Sequence, residues 1–191
     1  MPVVWADTLK AVHERRWTIN DAWNLIESSS AINSKLHPEV HVLFPEMHAD
    51  SDKHFIFQTD SKGVEYRDRG RHSTFRNAWE AAGAVCTALN SEAGERALKL
   101  VAKGPVILLS RSALIGAPVQ LERLQLEYKG KTTGVSYFEK SCDYVFLFLM
   151  LSPPYLALKT AYPAAGGAGA PPAGMDVVKQ DKTVTTFLAR K

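Results

Sequence analysis

Apolar residues recur every three to four positions along the first part of the chain, and this spacing predicts helices. One such face runs through residues 5–16. Thr18 and Asp21 then form a Thr-x-x-Asp start for a second helix, which we expect to end at the serines of 28–30. Together the two elements predict a helical hairpin over residues 1–35.

A second amphipathic pattern lies in the middle of the chain. Apolar side chains at helical spacing over 75–89 predict a helix, for which Ser73 or Thr74 is the expected cap. A further helix is expected to run to about residue 103, where Gly104 and a proline stop it.

Shorter runs that alternate or are continuously apolar predict strands. They fall at 40–44, 54–59, 64–66, 106–109, 119–128, 134–140, 144–151 and 155–163. The alternation changes phase near Glu122 and Arg123, which indicates a bulge or a short helix there. The sequence therefore predicts an α+β fold, in which N-terminal helices are followed by a twisted antiparallel β-sheet of about four to five strands.

The domain organisation follows from the same pattern. Residues 36–163 are expected to form one α+β domain, and 164–176 are an Ala/Gly/Pro linker. The last segment, 177–191, fits an edge strand, a docking segment or a disordered tail.

Bulk composition narrows the function classes only slightly. The net charge of +3 permits a nucleic-acid partner without requiring one. Cys86 and Cys142 stand in apolar contexts typical of buried free thiols, and no secretory signal opens the sequence. The longest apolar run, 145–151, is far shorter than the roughly 20 residues of a membrane span. We therefore expect a cytoplasmic protein that does not associate with a membrane.

Two motifs resemble ligand sites but lack the required spacing. Between His37 and His41, Pro38 disfavours the helix that would pair the two histidines as metal ligands. Gly130-Lys131 lacks the preceding glycine of a phosphate-binding loop and is followed by a predicted strand. We accordingly expect no metal and no cofactor.

A basic segment precedes the central helix and consists of Arg67, Arg69, Arg71, His72 and Arg76. In an extended chain the three alternating arginines project to one face. The following helix N-terminus would add amide donors for a phosphate, and His72 would be available for proton transfer. The alternative is a solvated flank whose charge is partly neutralised by nearby carboxylates.

Lys159, Thr160 and Tyr162 close the last predicted strand. Simple alternation places Lys159 on one face of the sheet and the two hydroxyl residues on the other. Taken alone, Thr160 and Tyr162 are also the residue types that favour strands.

The order of a helix, a Tyr137-Phe138 strand, the apolar run 145–149 and a final strand that ends in Thr160-Ala-Tyr162 resembles a known family. It is similar to the barnase/EndoU/colicin/RelE-type ribonuclease superfamily, in the branch found in phage proteins and polymorphic bacterial toxins. The resemblance covers residues 54–163 and rests on element order and the short strand ending.

The resemblance implies an endoribonuclease that cuts RNA, including tRNA, without a metal and is paired with a cognate immunity or antitoxin protein. By that likeness His72 or His54 transfers protons, while Thr160 and Tyr162 donate hydrogen bonds at the catalytic site. The same likeness makes Arg76 part of that site. It assigns substrate binding to Arg67, Arg69 and Arg71. Lys159 takes part only if the alternation breaks at the strand end.

Two other function classes fit the same residues. The basic segment would also serve a nucleic-acid-binding protein that does not cut its ligand. An immunity or phage accessory protein would instead use residues 164–191 to dock a partner.

Overall fold

A computed structural model describes residues 1–32, 56–59, 65–68, 72–73, 75, 77–111, 118–127, 134–164, 175–180 and 184–189. In these ranges the helices are α1 (Trp5–His13), α2 (Ile19–Ile32), α3 (Ala78–Leu89) and α4 (Glu92–Leu100). The strands are β1 (Val3–Val4), β2 (Ile56–Thr59), β3 (Glu65–Asp68), β4 (His72–Ser73), β5 (Val106–Arg111), β6 (Pro118–Glu127), β7 (Gly134–Ser141), β8 (Tyr144–Ser152), β9 (Tyr155–Ala164), β10 (Met175–Gln180) and β11 (Val184–Ala189). None of the helices in these ranges is long and apolar enough to cross a membrane.

The main sheet has six antiparallel strands in the order β1-β9-β8-β5-β11-β10. This arrangement confirms the α+β class, with a larger sheet than the four to five strands expected. The additional strands are the two-residue β1 and the C-terminal hairpin. For 177–191 the sequence was compatible with an edge strand, a docking segment or a disordered tail. In the structure, this region forms part of β10, at the edge of the sheet, and β11, which pairs with β5.

A second antiparallel sheet contains β2, β3, β6 and β4, and β7 also pairs with β6. Although only Cys142 and Asp143 separate β7 from β8, the two strands belong to different sheets. The order of elements suggested that the strand of Tyr137 and Phe138 lies next to the apolar β8. It does not, because β7 belongs to the second sheet.

The prediction of a bulge or a short helix near Glu122 and Arg123 is wrong, because β6 is a continuous strand there. The pairing of β6 with β7 keeps one register from Pro118 to Gln125. On its other edge β6 pairs with β4 around Glu122 and with β3 from Gln125 onward. The change in the hydrophobic pattern thus coincides with a change of partner strand.

Helix α2 begins with the predicted capping box. The backbone amide of Thr18 donates to Asp21 Oδ2 at 2.8 Å, and the amide of Asp21 donates to Thr18 Oγ1 at 3.2 Å. The helix does not end at 28–30 as expected. The Ser29 and Ser30 hydroxyls donate to carbonyls of the same helix, an arrangement in which serine is accommodated inside a continuing helix.

Helix α3 starts later than the sequence indicated. Its cap is Asn77, whose Oδ1 accepts the amide of Glu80 at 2.8 Å, whereas Ser73 lies in β4. Helix α4 follows almost at once, and its cap is Ser91, whose hydroxyl accepts the amide of Gly94 at 3.1 Å.

All four of these helices contribute to one hydrophobic core against the main sheet. Leu25 and Ile26 of α2 are fully buried there, as is Val12 of α1, so the N-terminal hairpin belongs to the core. The sheet contributes the alternate leucines of its central strands: Leu147, Leu149, Leu156 and Leu158. A hydrogen bond of 2.8 Å from Trp5 Nε1 to the Leu98 carbonyl also ties α1 to α4.

The opposite side of the main sheet, here called the outer face, has a separate apolar cluster. Ile107, Met175 and Phe187 are buried in it, and Phe146 and Phe148 pack against them while staying half-buried. Residues of β8 thus alternate between the helix side and the outer face.

Candidate functional site

The strand that carries Thr160 and Tyr162 contains a β-bulge. Leu149 is paired with Leu158, but the next residue of β8, Phe148, is paired with Thr160, so Lys159 is an additional residue on β9. Directly paired residues share a face, and Leu158 and Ala161 are fully buried on the helix side. Thr160 therefore faces outward with Phe148.

Lys159 lies on the same face as Thr160, not on the opposite one as alternation suggested. Its Nζ is 4.8 Å from the centroid of the Phe148 ring, within the range of a cation–π interaction. The side chain is exposed, whereas Phe148 and Thr160 are half-buried. The bulge breaks the two-residue period and places an ammonium group beside the Thr160 position.

Tyr162 is stacked on Phe146, its partner across the β8–β9 ladder. The ring centroids are 4.4 Å apart and the planes differ by 13°. Burial raises the pKa of Tyr162 above its ordinary value. A tyrosine is protonated at neutral pH, and burial keeps this phenol in that form to higher pH, which suits it as a hydrogen-bond donor rather than as a base.

This effect predicts a measurable titration. The difference in absorbance at 295 nm between wild type and Tyr162→Phe should give a midpoint above the value of about 10 for free tyrosine. Because the pKa of Tyr162 is higher in the folded than in the unfolded state, its contribution to the free energy of unfolding is fully present below the unfolded pKa. That contribution is lost as pH rises through the folded pKa. The urea-unfolded protein is the control. A midpoint at or below that of the unfolded chain would show that burial does not raise the pKa of Tyr162.

The structure places part of the predicted basic segment by its backbone. His72 lies in β4 and pairs with Glu122, while Arg67 lies in β3 and pairs with Leu126. Both strands therefore lie along one edge of β6. Cα atoms of β4 approach those of β9 to within 8 Å, which puts the backbone at His72 near the strand of Thr160 and Tyr162.

The other candidates of that segment are not among the residues that the structure describes. These are Arg69, Arg71 and Arg76, together with His54, the alternative proton-transfer residue.

Arg111 is a second cation on the outer face, and the sequence pattern did not single it out. It ends β5, pairs with Tyr144, and its Nε lies 3.4 Å from Asp143 Oδ2. Along β8, Tyr144 is four residues from Phe148, which corresponds to about 13 Å. On the outer face, Lys159 and Arg111 thus lie on either side of the Phe146–Tyr162 stack, one toward each end of β8.

A different charged cluster joins α1 to α4. Glu95 Oε1 is 2.8 Å from His13 Nδ1 and 2.6 Å from Lys99 Nζ, and its hydrogen bonds to Lys99 and then to His13 lower the pKa of Glu95. Within the described ranges no three His, Cys, Asp or Glu side chains converge as metal ligands.

No protein-family model matches the chain, and neither a curated protein nor a solved structure does so. A functional assignment therefore has to be argued from the residues and geometry of the chain itself.

Proposed function

We propose that this protein is an endoribonuclease that cleaves RNA without a metal ion, and that its active site is the outer face around Lys159. The observation that carries the proposal is the β-bulge of β9. It brings one ammonium group and two hydroxyl groups, those of Thr160 and Tyr162, to the same face of the sheet beside half-buried aromatic rings.

The reaction would use the neighbouring 2′-hydroxyl of the RNA as the nucleophile. A general base takes the proton of that hydroxyl, and its oxygen attacks the adjacent phosphorus. The bond from phosphorus to the 5′-oxygen breaks, and a general acid gives that oxygen a proton. The products are a 2′,3′-cyclic phosphate and a free 5′-hydroxyl.

We assign one of these two proton transfers to His72, because imidazole is the side chain used most often in general acid–base catalysis. The approach of the β4 backbone to β9 supports this assignment. In the same proposal Arg76 contributes to the catalytic site, and Arg67, Arg69 and Arg71 bind the flanking phosphates.

Lys159, Thr160 and Tyr162 would stabilise the negative charge that builds on the phosphate in the transition state. The Tyr162 phenol is protonated at neutral pH and half-buried, and electrostatic interactions strengthen where water is partly excluded. The aromatic rings of Phe146 and Phe148 offer surfaces against which RNA bases can stack.

In this proposal the protein acts in the cytoplasm as a toxin of bacterial or phage origin. RNA, tRNA included, is its substrate, and an immunity or antitoxin protein is its partner. The similarity of the strand endings to the ribonuclease superfamily described above supports this assignment.

The direct test is incubation of purified protein with total RNA and tRNA in excess EDTA. We expect discrete fragments that end in 2′,3′-cyclic phosphate, and we expect His72→Ala to lose most of the activity. RNA that stays intact at a large excess of protein would contradict the proposal. Salt-sensitive retention of intact RNA would indicate a nucleic-acid-binding protein instead.

A further inference from the structure

The β-bulge at Lys159 is tied to helix α2 by one buried hydrogen bond. The backbone amide of Leu158, the residue just before the extra one, donates to Ser29 Oγ at 2.8 Å. Ser29 is fully buried, and its own hydroxyl proton goes to the Leu25 carbonyl at 2.6 Å. The Ser29 hydroxyl thus accepts from the sheet and donates to its helix at the same time.

Within the described residues, no neighbouring strand offers the Leu158 amide an acceptor on the side that faces Ser29. Along the edge of β9 that faces away from β8, β1 pairs only with Tyr155 and Leu156 and does not extend to Leu158. A bulge also interrupts the regular ladder on the β8 side. A buried amide without an acceptor is strongly unfavourable, so a hydroxyl at this position favours the bulged backbone.

We propose that Ser29 is a positioning residue that fixes the bulge of β9 and thereby the place of the Lys159 ammonium on the outer face. Helix α2 packs on the opposite side of the sheet, so Ser29 acts through the Leu158 backbone and does not touch the ligand. That the ligand is RNA rests on the proposed function; the positioning of Lys159 over Phe148 does not.

Helix α2 offers a matched control next to this residue. Ser28 is also buried, but its hydroxyl finds no hydrogen-bond partner within the part of the chain that the structure describes. Ser28→Ala and Ser29→Ala therefore remove the same atom from adjacent buried positions, and only the second removes the acceptor of the Leu158 amide. Ser29→Thr keeps the hydroxyl.

The test uses nuclear magnetic resonance on the full chain. In wild type the Lys159 side-chain protons should be shifted upfield, because the Nζ lies over the Phe148 ring. We expect Ser29→Ala to lose most of this shift and to move the Leu158 amide resonance, while Ser28→Ala and Ser29→Thr keep both. Unchanged Lys159 resonances in a folded Ser29→Ala protein would overturn the proposal.

A wild-type measurement remains informative should Ser29→Ala fail to fold. Hydrogen exchange of the Leu158 amide should be as slow as that of its paired neighbours in β9. Fast exchange at Leu158 would overturn the proposal, because the Ser29 hydrogen bond would then not hold the bulge.

Binding of a 2′-O-methylated RNA oligonucleotide, which cannot be cut by this chemistry, separates the two proposals. Ser29→Ala should weaken binding about three- to tenfold and lower the salt slope by about one, the effect of one lost phosphate contact. Loss of the Lys159 shift with unchanged RNA affinity would support the positioning role and contradict the RNA site. Weaker binding with an unchanged shift would contradict the positioning role.

Discussion

In the proposed reaction, replacing Lys159 with alanine is expected to slow RNA cleavage about 10²- to 10³-fold, the usual cost of losing one preorganised group that stabilises transition-state charge. The side chain is exposed and its Nζ contacts the Phe148 ring, so its removal should leave the core unchanged. The loss should appear in kcat more than in KM, because the added charge on the phosphate develops during the reaction. Single-turnover cleavage of a defined RNA gives this ratio.

Two further variants sharpen the result. Lys103→Ala removes another exposed lysine, located after α4 and not on β9, and should retain activity within about twofold. Deletion of Lys159 should also abolish most activity but keep the fold, because Leu158 and Thr160 then continue the ladder to Leu149 and Phe148 without a bulge. A Lys159→Ala protein with wild-type activity would exclude Lys159 from catalysis.

Gly94→Ala is expected to destabilise the protein by about 3 kcal/mol or more, as overpacking against rigid neighbours does. Helix propensity alone favours alanine over glycine by about 1 kcal/mol. A Cβ at this position would meet the backbone carbonyl oxygens of Ala88 and Leu89 well inside van der Waals contact. Neither oxygen belongs to a flexible side chain, so α4 would have to move away from the end of α3.

Urea denaturation measures this effect as a lower midpoint. Thr87→Ala, at an exposed position of α3, is the control and should change stability by no more than about 0.5 kcal/mol. A Gly94→Ala protein as stable as wild type would show that the close approach of α4 to α3 is not required.

The elements that the sequence predicted best are those specified by nearby residues. The capping box of Thr18 and Asp21 forms as expected because both partners lie within one helical turn. The apolar run of β8 is a central strand, since its residues are apolar enough to pack on both sides of the sheet.

Features that depend on distant partners were not predictable in the same way. The sheet to which β7 belongs is decided by its pairing with β6, although β8 follows it directly in the chain. The end of α2 was misplaced because serines usually favour caps, while Ser29 is here paired with Leu158 from the far end of the sequence.

The candidate site shows the same limit. Thr160 and Tyr162 were correctly placed together, but the two-residue period put Lys159 on the wrong face. Leu158 and Ala161 are both fully buried on the helix side and three residues apart, which requires one additional residue between them, but their burial is visible only in the structure. Without a known partner strand, that spacing alone does not tell which residue is the extra one.

The location of the proposed active site can be tested without any cleavage. A 2′-O-methylated RNA oligonucleotide is titrated into isotopically labelled wild-type protein, and the amide and side-chain resonances are followed. We expect the largest changes at Lys159, Thr160 and Tyr162 and at the facing residues Phe146 and Phe148, with little change in α1 and α2. Changes confined to the helices, or none at saturating RNA, would contradict an RNA site on the outer face of the main sheet.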